Sequence, residues 1–415
     1  MQVTIEKLVY GGAGLARTDQ GVVFVQRTAP ADVAEIVITG RKKDYAIGSV
    51  SRLIVPSPDR QEPFCPNYVT AGCCHWQHIR YDKQLEYKET ILRESLTRIA
   101  HMEFNEPIRR ISGPERAYRL RASFHVHHGR LGFVRDQSNT VVPINECAAF
   151  APEVNAFIPA ANSIIGQALF AKLEQAHVVA VADGTAATFT FPEEADQHPW
   201  ERLRDLVFER IPSLDALTFE VGNQRLHYER QLTSIEVRGV RYAVNSDVFF
   251  QANRFLLEAF VEEVVQQAGP RTQRCLDLFS GSGFFSIPLA KVSGQLIGVE
   301  SSRVAVKQAR ENAKLNGVGN VEFAAGLVDT TLAGADVHAD LVVLNPPRAG
   351  AGAGVAAQIA ELKAPRLVYV SCNPATFARE AVILGNAGYR LTRVTMVDQF
   401  PGTYHIELVA SFELN

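Results

Sequence analysis

For its length the chain is short of cysteine, of net charge and of any long apolar run. Six cysteines in 415 residues do not make a disulfide framework. Grouped thiols in a reducing compartment point instead to a metal or to catalysis. The formal net charge is −3 and the sequence pI about 6.4, so the chain as a whole does not advertise nucleic-acid binding. The most tempting apolar stretch, residues 157–171, is broken by Pro159 and Asn162 and cannot span a bilayer. Met1-Gln2-Val3-Thr4-Ile5-Glu6-Lys7 lacks the basic-then-apolar order of a secretory signal. The expectation is a cytoplasmic globular protein, with no internal repeat and no low-complexity tract.

What is present is local. Arg109, Arg110, Arg116, Arg119, Arg121, Arg130 and Arg135 crowd one short region with few acids between them. That reads as a phosphate-binding surface or as a solvated basic face. Residues 1–55 read as a small β-barrel of the oligonucleotide-binding kind, ending in the proline-rich Pro56-Ser57-Pro58. Residues 56–244 read as a mixed α+β unit opened by a cysteine-bearing segment and a helix. In that helix Leu85, Ile91, Leu92, Leu96 and Ile99 share a stripe, with Lys83, Glu86, Lys88 and Glu94 elsewhere. Residues 245–415 read as alternating strands and helices, an α/β unit with a Rossmann-like sheet.

The strand-like Cys275-Leu276-Asp277-Leu278-Phe279 leads into Ser280-Gly281-Ser282-Gly283 and a helix, where glycines let the backbone approach a ligand. The next strand ends in Glu300, placed to bond ribose hydroxyls. A third glycine in register and a P-loop lysine are both missing, so the ligand has no pyrophosphate to cradle. This pattern looks like S-adenosylmethionine binding in Rossmann-like methyltransferases. A fourth strand ends in Asn345-Pro346-Pro347-Arg348, whose prolines hold Asn345 at the same sheet edge. Arg348 stands where amino-group methylation would want an aromatic ring.

Ser371-Cys372-Asn373-Pro374 follows a buried-strand pattern and sets a thiol at the sheet mouth. Methylation of pyrimidine carbon 5 asks for a thiolate that adds to carbon 6 and a base that removes the carbon 5 proton. Cys372 is the thiol. Glu407, opening the strand-like Leu408-Val409-Ala410-Ser411-Phe412, is the carboxylate.

These motifs, with Phe249-Phe250-Gln251-Ala252-Asn253 and Phe400-Pro401 before Thr403, His405 and Glu407, resemble the RNA 5-methyluridine methyltransferases over nearly the full chain. The N-terminal barrel resembles the TRAM domain. The resemblance implies Cys372 as nucleophile, Glu407 as base, and Gln251, Phe279, Gly281, Glu300 and the position of Asn345 at S-adenosylmethionine. Asn345 departs from the family's usual aspartate. Many relatives also hold a 4Fe-4S cluster. Here Cys65, Cys73, Cys74 and Cys147 are the thiols available, with Ala71 where the second ligand should be. The barrel and the cysteines resemble the 23S rRNA branch, so the expected partner is 23S rRNA, with tRNA the alternative, and the expected state a monomer. A non-catalytic RNA-binding protein on a degenerate methyltransferase scaffold is the reading that Asn345 leaves open. A cytosine-5 enzyme would need a cysteine after the fourth strand, and Asn345-Pro346-Pro347 has none.

Overall fold

A computed structural model of the chain describes residues 1–135, 138–195, 199–333 and 338–415. The C-terminal half is built on an eight-stranded sheet. Five parallel strands run across it in the order Val321–Ala325, Ser293–Glu300, Thr272–Leu278, Leu341–Leu344 and Arg366–Ser371. Glu407–Leu414 follows antiparallel, then Tyr389–Val397. The apolar runs of these strands are continuous because both faces are covered. Val343, Val368 and Val409 enter one core, whereas Val342, Leu367 and Leu408 enter another. Strand order reverses between Thr272–Leu278 and Leu341–Leu344, and α/β sheets take their ligands in the crevice at such a point.

The outermost strand of this sheet is Arg109–Ile111, parallel to Tyr389–Val397. It lies within the 56–244 stretch that the sequence assigns to a central unit. The helix Tyr81–Arg98 joins the same layer, burying Ile91, Leu92 and Leu96 with Leu276, Phe377 and Met396. The buried face also takes in Lys88, which the sequence pattern places off the apolar stripe. Lys88 is fully buried, with Nζ 2.6 Å from Asp398 Oδ1 and 3.2 Å from the Phe400 carbonyl. Burial holds the lysine pKa down and the Asp398 charge pulls it back up. A buried ammonium persists only with such a partner.

The remaining central residues form a seven-stranded sheet from Val141–Pro143 to Gln224–Glu229, covered by helices Pro152–Ile165 and Trp200–Arg210. The expected N-terminal barrel is a six-stranded sheet whose outer strands are Gln2–Thr4 and Lys7–Leu8. These are consecutive pieces of one segment, so the sheet curls until both edges meet at residues 2–8, although no ladder joins the two edges directly. Among the described residues no helix is long and apolar enough to cross a membrane.

Candidate active site

Cys372 and Glu407 are brought together by strand register. Arg366–Ser371 pairs antiparallel with Glu407–Leu414, with Ser371 opposite Leu408. One step further along this ladder Cys372 falls beside Glu407. Asn373 then stops the strand and caps the helix Pro374–Asn386, its side chain accepting from the Ala375 N–H at 3.0 Å and the Thr376 N–H at 3.4 Å. The thiol is thereby fixed between a strand end and a helix start.

Glu407 is buried, and desolvation pushes its pKa up to about 8, opposed by the Arg348 charge. Burial pushes Cys372 up to about 11; Glu407 adds to this and Arg348 subtracts. Arg348 therefore serves both groups. Its Nη2 donates to His405 Nε2 at 3.4 Å. His405 can accept because burial, then Arg348, lower its pKa to about 3 and keep it neutral. The loop after Arg348 is pinned by Glu380, which accepts from the Ala351 and Gly352 N–H groups at 3.2 and 2.9 Å.

The strap before Glu407 is held from many sides. Trp76 N–H donates to the Gly402 carbonyl at 2.8 Å, and Gly402 N–H to Gln84 Oε1 at 2.8 Å. Tyr118 Oη donates to the Pro401 carbonyl at 3.3 Å, and Asn253 to the Gln399 carbonyl at 3.3 Å. Lys88 completes the set.

The glycine loop lies at the same sheet edge. Gly281 has φ +54°, and a Cβ there would meet nothing within 4 Å, so the loop is open where a ligand would approach. Its N–H donates to Glu300 Oε2 at 3.1 Å, joining the second-strand acid to the loop. Phe279 takes φ +61°, a strained conformation for a bulky residue. Asn345 N–H donates to the Leu278 carbonyl at 3.1 Å, so Asn345 and Phe279 are neighbours. Gln251 is buried. Among the described residues, Asp277 Oδ1 and Ser280 Oγ are buried without a partner. Orphaned polar atoms beside an open glycine turn suit a polar ligand.

A sequence model of the tRNA (uracil-5-)-methyltransferases matches residues 80–412, and one of the TRAM domain matches residues 1–51. The chain belongs to the tRNA (uracil-5-)-methyltransferase family. An RNA methyltransferase of Aquifex aeolicus, itself uncharacterized, is 34% identical over 100% of this chain and 98% of that protein. The 23S rRNA (uracil(1939)-C(5))-methyltransferase RlmD of Vibrio parahaemolyticus is 32% identical over 99% of this chain and 95% of its own. The Pyrococcus abyssi tRNA (uracil-54, C5)-methyltransferase, solved with S-adenosyl-L-homocysteine, shares the fold. It aligns with TM-score 0.77 and 24% identity over 99% of this chain and 100% of its own.

The four cysteines named as candidate cluster ligands are unequally placed. Cys65, Cys74 and Cys147 are buried and Cys73 is exposed. The thiols share one neighbourhood. Cys74 is pushed well up by a hydrogen bond to Cys73, by burial, and by the charges of Cys73, Cys147 and Cys65. The same hydrogen bond lowers Cys73 to about 7. Yet among the described residues no three His, Cys, Asp or Glu side chains are grouped to hold a metal ion. Ala71 is buried at the end of the short helix Tyr68–Ala71.

The arginine cluster is divided in its duties. Arg109 pairs with Glu263 at 2.7 Å and Arg110 with Glu89 at 2.7 Å. Arg121 donates to the Ser246 carbonyl at 3.0 Å, and burial lowers its pKa to about 10. Arg116 covers the Phe64 ring at 4.1 Å. Part of the expected phosphate surface is thus internal scaffolding. The sequence reading assigned no role to Tyr10 or Tyr404, which border the site, nor to Arg348 within it. Only Arg348 carried a signal, as the cation ending a proline-locked strand.

Proposed function

We propose that the chain methylates carbon 5 of a uridine in structured RNA, 23S rRNA in particular, with Cys372 as nucleophile and Glu407 as proton acceptor. The observation that carries this reading is the register that sets Cys372 beside Glu407 at the edge bearing the glycine loop. S-adenosylmethionine, when bound by Gln251, Phe279, Gly281, Glu300 and Asn345, supplies an electrophilic methyl group. The Cys372 thiol gives its proton to solvent, the thiolate bonds to carbon 6, and the electrons of the carbon 5–carbon 6 double bond make carbon 5 nucleophilic. Arg348 steadies the thiolate and then the buried carboxylate. After methylation Glu407 takes the carbon 5 proton, the double bond re-forms and the thiolate leaves. A uridine must leave its stack to reach this edge.

The target rests on the named relatives and on the N-terminal unit, which extends the contact surface for phosphates. Nucleoside mass spectrometry after reaction with a protein-free 23S fragment or with bulk tRNA tests it. We expect 5-methyluridine to form faster in the 23S fragment, with a steep fall as salt rises. Methylation of tRNA alone would reverse the target, and no 5-methyluridine in either RNA would overturn the reaction.

Four thiols are the donor number that a 4Fe-4S cluster takes. We propose that Cys65, Cys74 and Cys147 hold such a cluster with Cys73, which must turn inward next to Gly72, a residue in the left-handed region at φ 69°. Anaerobically purified protein should then be brown, with roughly four irons per chain, and Cys73→Ser should lose most of them. Colourless, iron-free protein that is folded and active would sink this assignment.

A further inference from the structure

One residue of the N-terminal unit reaches the backbone of Cys372. The turn after Lys7–Leu8 is closed by Val9 N–H on the Ala13 carbonyl at 2.9 Å and presents Tyr10 outward. Tyr10 Oη donates to the carbonyl of Cys372 at 3.2 Å. Its ring meets Tyr404 edge-on, with centroids 5.5 Å apart.

The turn is locked in place. The Gly12 carbonyl accepts from Trp76 Nε1 at 3.0 Å. Gly12 has φ +91°, and a Cβ there would lie 3.0 Å from the Tyr404 ring and 3.2 Å from His75. Leu8 is buried in the same core as Trp76, Ile406 and Leu408. Only glycine lets the turn approach so closely.

Two readings of Tyr10 make different predictions. As an adhesive between the N-terminal unit and the body, its hydroxyl would contribute to stability or RNA affinity. As part of the chemistry, it would act on the thiol. The hydroxyl lies on the peptide of Cys372 itself. The N–H of the same peptide, that of Asn373, donates to Ser371 Oγ at 3.2 Å, so the Tyr10 bond on its carbonyl fixes the plane from which the Cys372 side chain projects. Burial, then the Cys372 charge, push the phenol up to about 12, so it remains a donor at every working pH. The Tyr10 and Tyr404 rings also form an aromatic wall beside Cys372, Arg348 and Glu407.

We propose that Tyr10 is a positioning residue for the methylation. Its hydroxyl orients the Cys372 peptide so that the thiol is aimed at carbon 6 of the uridine, and the N-terminal unit is thereby a structural part of the active site. This rests on the assignment of Cys372 as nucleophile.

The test uses the full chain, a 23S fragment and the same fragment made with 5-fluorouridine, which traps the covalent adduct because fluorine cannot leave as a proton. Wild type, Tyr10→Phe and Tyr10→Ala are compared. Tyr10→Phe keeps the ring and loses the bond. It should lower kcat and the rate of adduct formation about 5- to 20-fold, the scale of one lost orienting hydrogen bond. KM for RNA, the S-adenosylmethionine Kd and Tm should stay nearly constant. Tyr10→Ala should lower kcat further. Unchanged kcat and adduct rate in Tyr10→Phe, or an effect confined to KM or Tm, would overturn the proposal. Wild type that methylates RNA without trapping an adduct would overturn the Cys372 assignment and this inference with it. Wild type that methylates no RNA would refute the methylation reading itself.

Discussion

Cys372→Ser is expected to lower methyl transfer by roughly four orders of magnitude while the protein stays folded and binds S-adenosylmethionine as before. A serine hydroxyl is far too weak an acid to add to uracil carbon 6 at neutral pH. Its size is close to that of the thiol, and the local structure does not depend on sulfur. Asn373 still caps the helix, and Tyr10 bonds the main-chain carbonyl. The glycine loop sits on a different strand, Thr272–Leu278, so cofactor binding has no cause to change. Nucleoside mass spectrometry reads the reaction, calorimetry the binding and a melting curve the fold. Near-normal turnover by this variant would falsify the covalent mechanism.

Glu407→Gln should fail later in the cycle. The amide can let the thiol add and the methyl group arrive, but it cannot take the carbon 5 proton. A protein–RNA adduct should therefore accumulate and survive denaturing electrophoresis, with steady turnover falling about 10³-fold. Since Glu407 in the free enzyme titrates at about 8, the wild-type carboxyl is mostly protonated below that pH. Proton removal should then rise about tenfold per pH unit up to 8 and flatten above it. Stability follows the opposite course. The folded state keeps a proton that the unfolded chain gives up near 4.5, so stability present below 4.5 is lost as pH rises through 8. Glu407→Gln removes that loss, and its Tm relative to wild type should climb between pH 5 and 9. A variant that releases methylated RNA at the normal rate would move the proton acceptor elsewhere.

The parts of the site that could be read from the sequence are the local ones. Ser280-Gly281-Ser282-Gly283, Asn345-Pro346-Pro347 and Ser371-Cys372-Asn373-Pro374 each announce a strand end through residues whose backbone limits are chemical. All three lie on one sheet edge. What could not be read depends on contacts with no local signature. Tyr10 and Cys372 are 362 positions apart, and Lys88 and Asp398 are 310 apart. The sequence pattern put Lys88 off the apolar stripe, and only the fold supplies its carboxylate. Residues 109–111 are too few and too polar to read as a strand without the edge of Tyr389–Val397 to pair with. The arginine cluster read as a surface, for phosphates or for solvent, and Arg121 fits neither reading because it is spent on the Val248 and Ser246 carbonyls.

Among the described residues the strand that carries Glu407 is the last in sequence, yet it does not sit at an edge. Glu407–Leu414 pairs on one side with Arg366–Ser371 and on the other with Tyr389–Val397, and the latter also carries Arg109–Ile111. During synthesis, residues 109–111 have emerged long before their partner strand, and the sheet stays split until residues 407–414 clear the ribosome. Closing it is a late, long-range event of the kind that folds slowly. Until that strand is in place, Glu407 is not beside the end of Arg366–Ser371 where Cys372 lies. Under the proposed mechanism the thiol and its proton acceptor therefore come together only as the sheet interior fills, which makes catalytic competence the last thing the fold delivers.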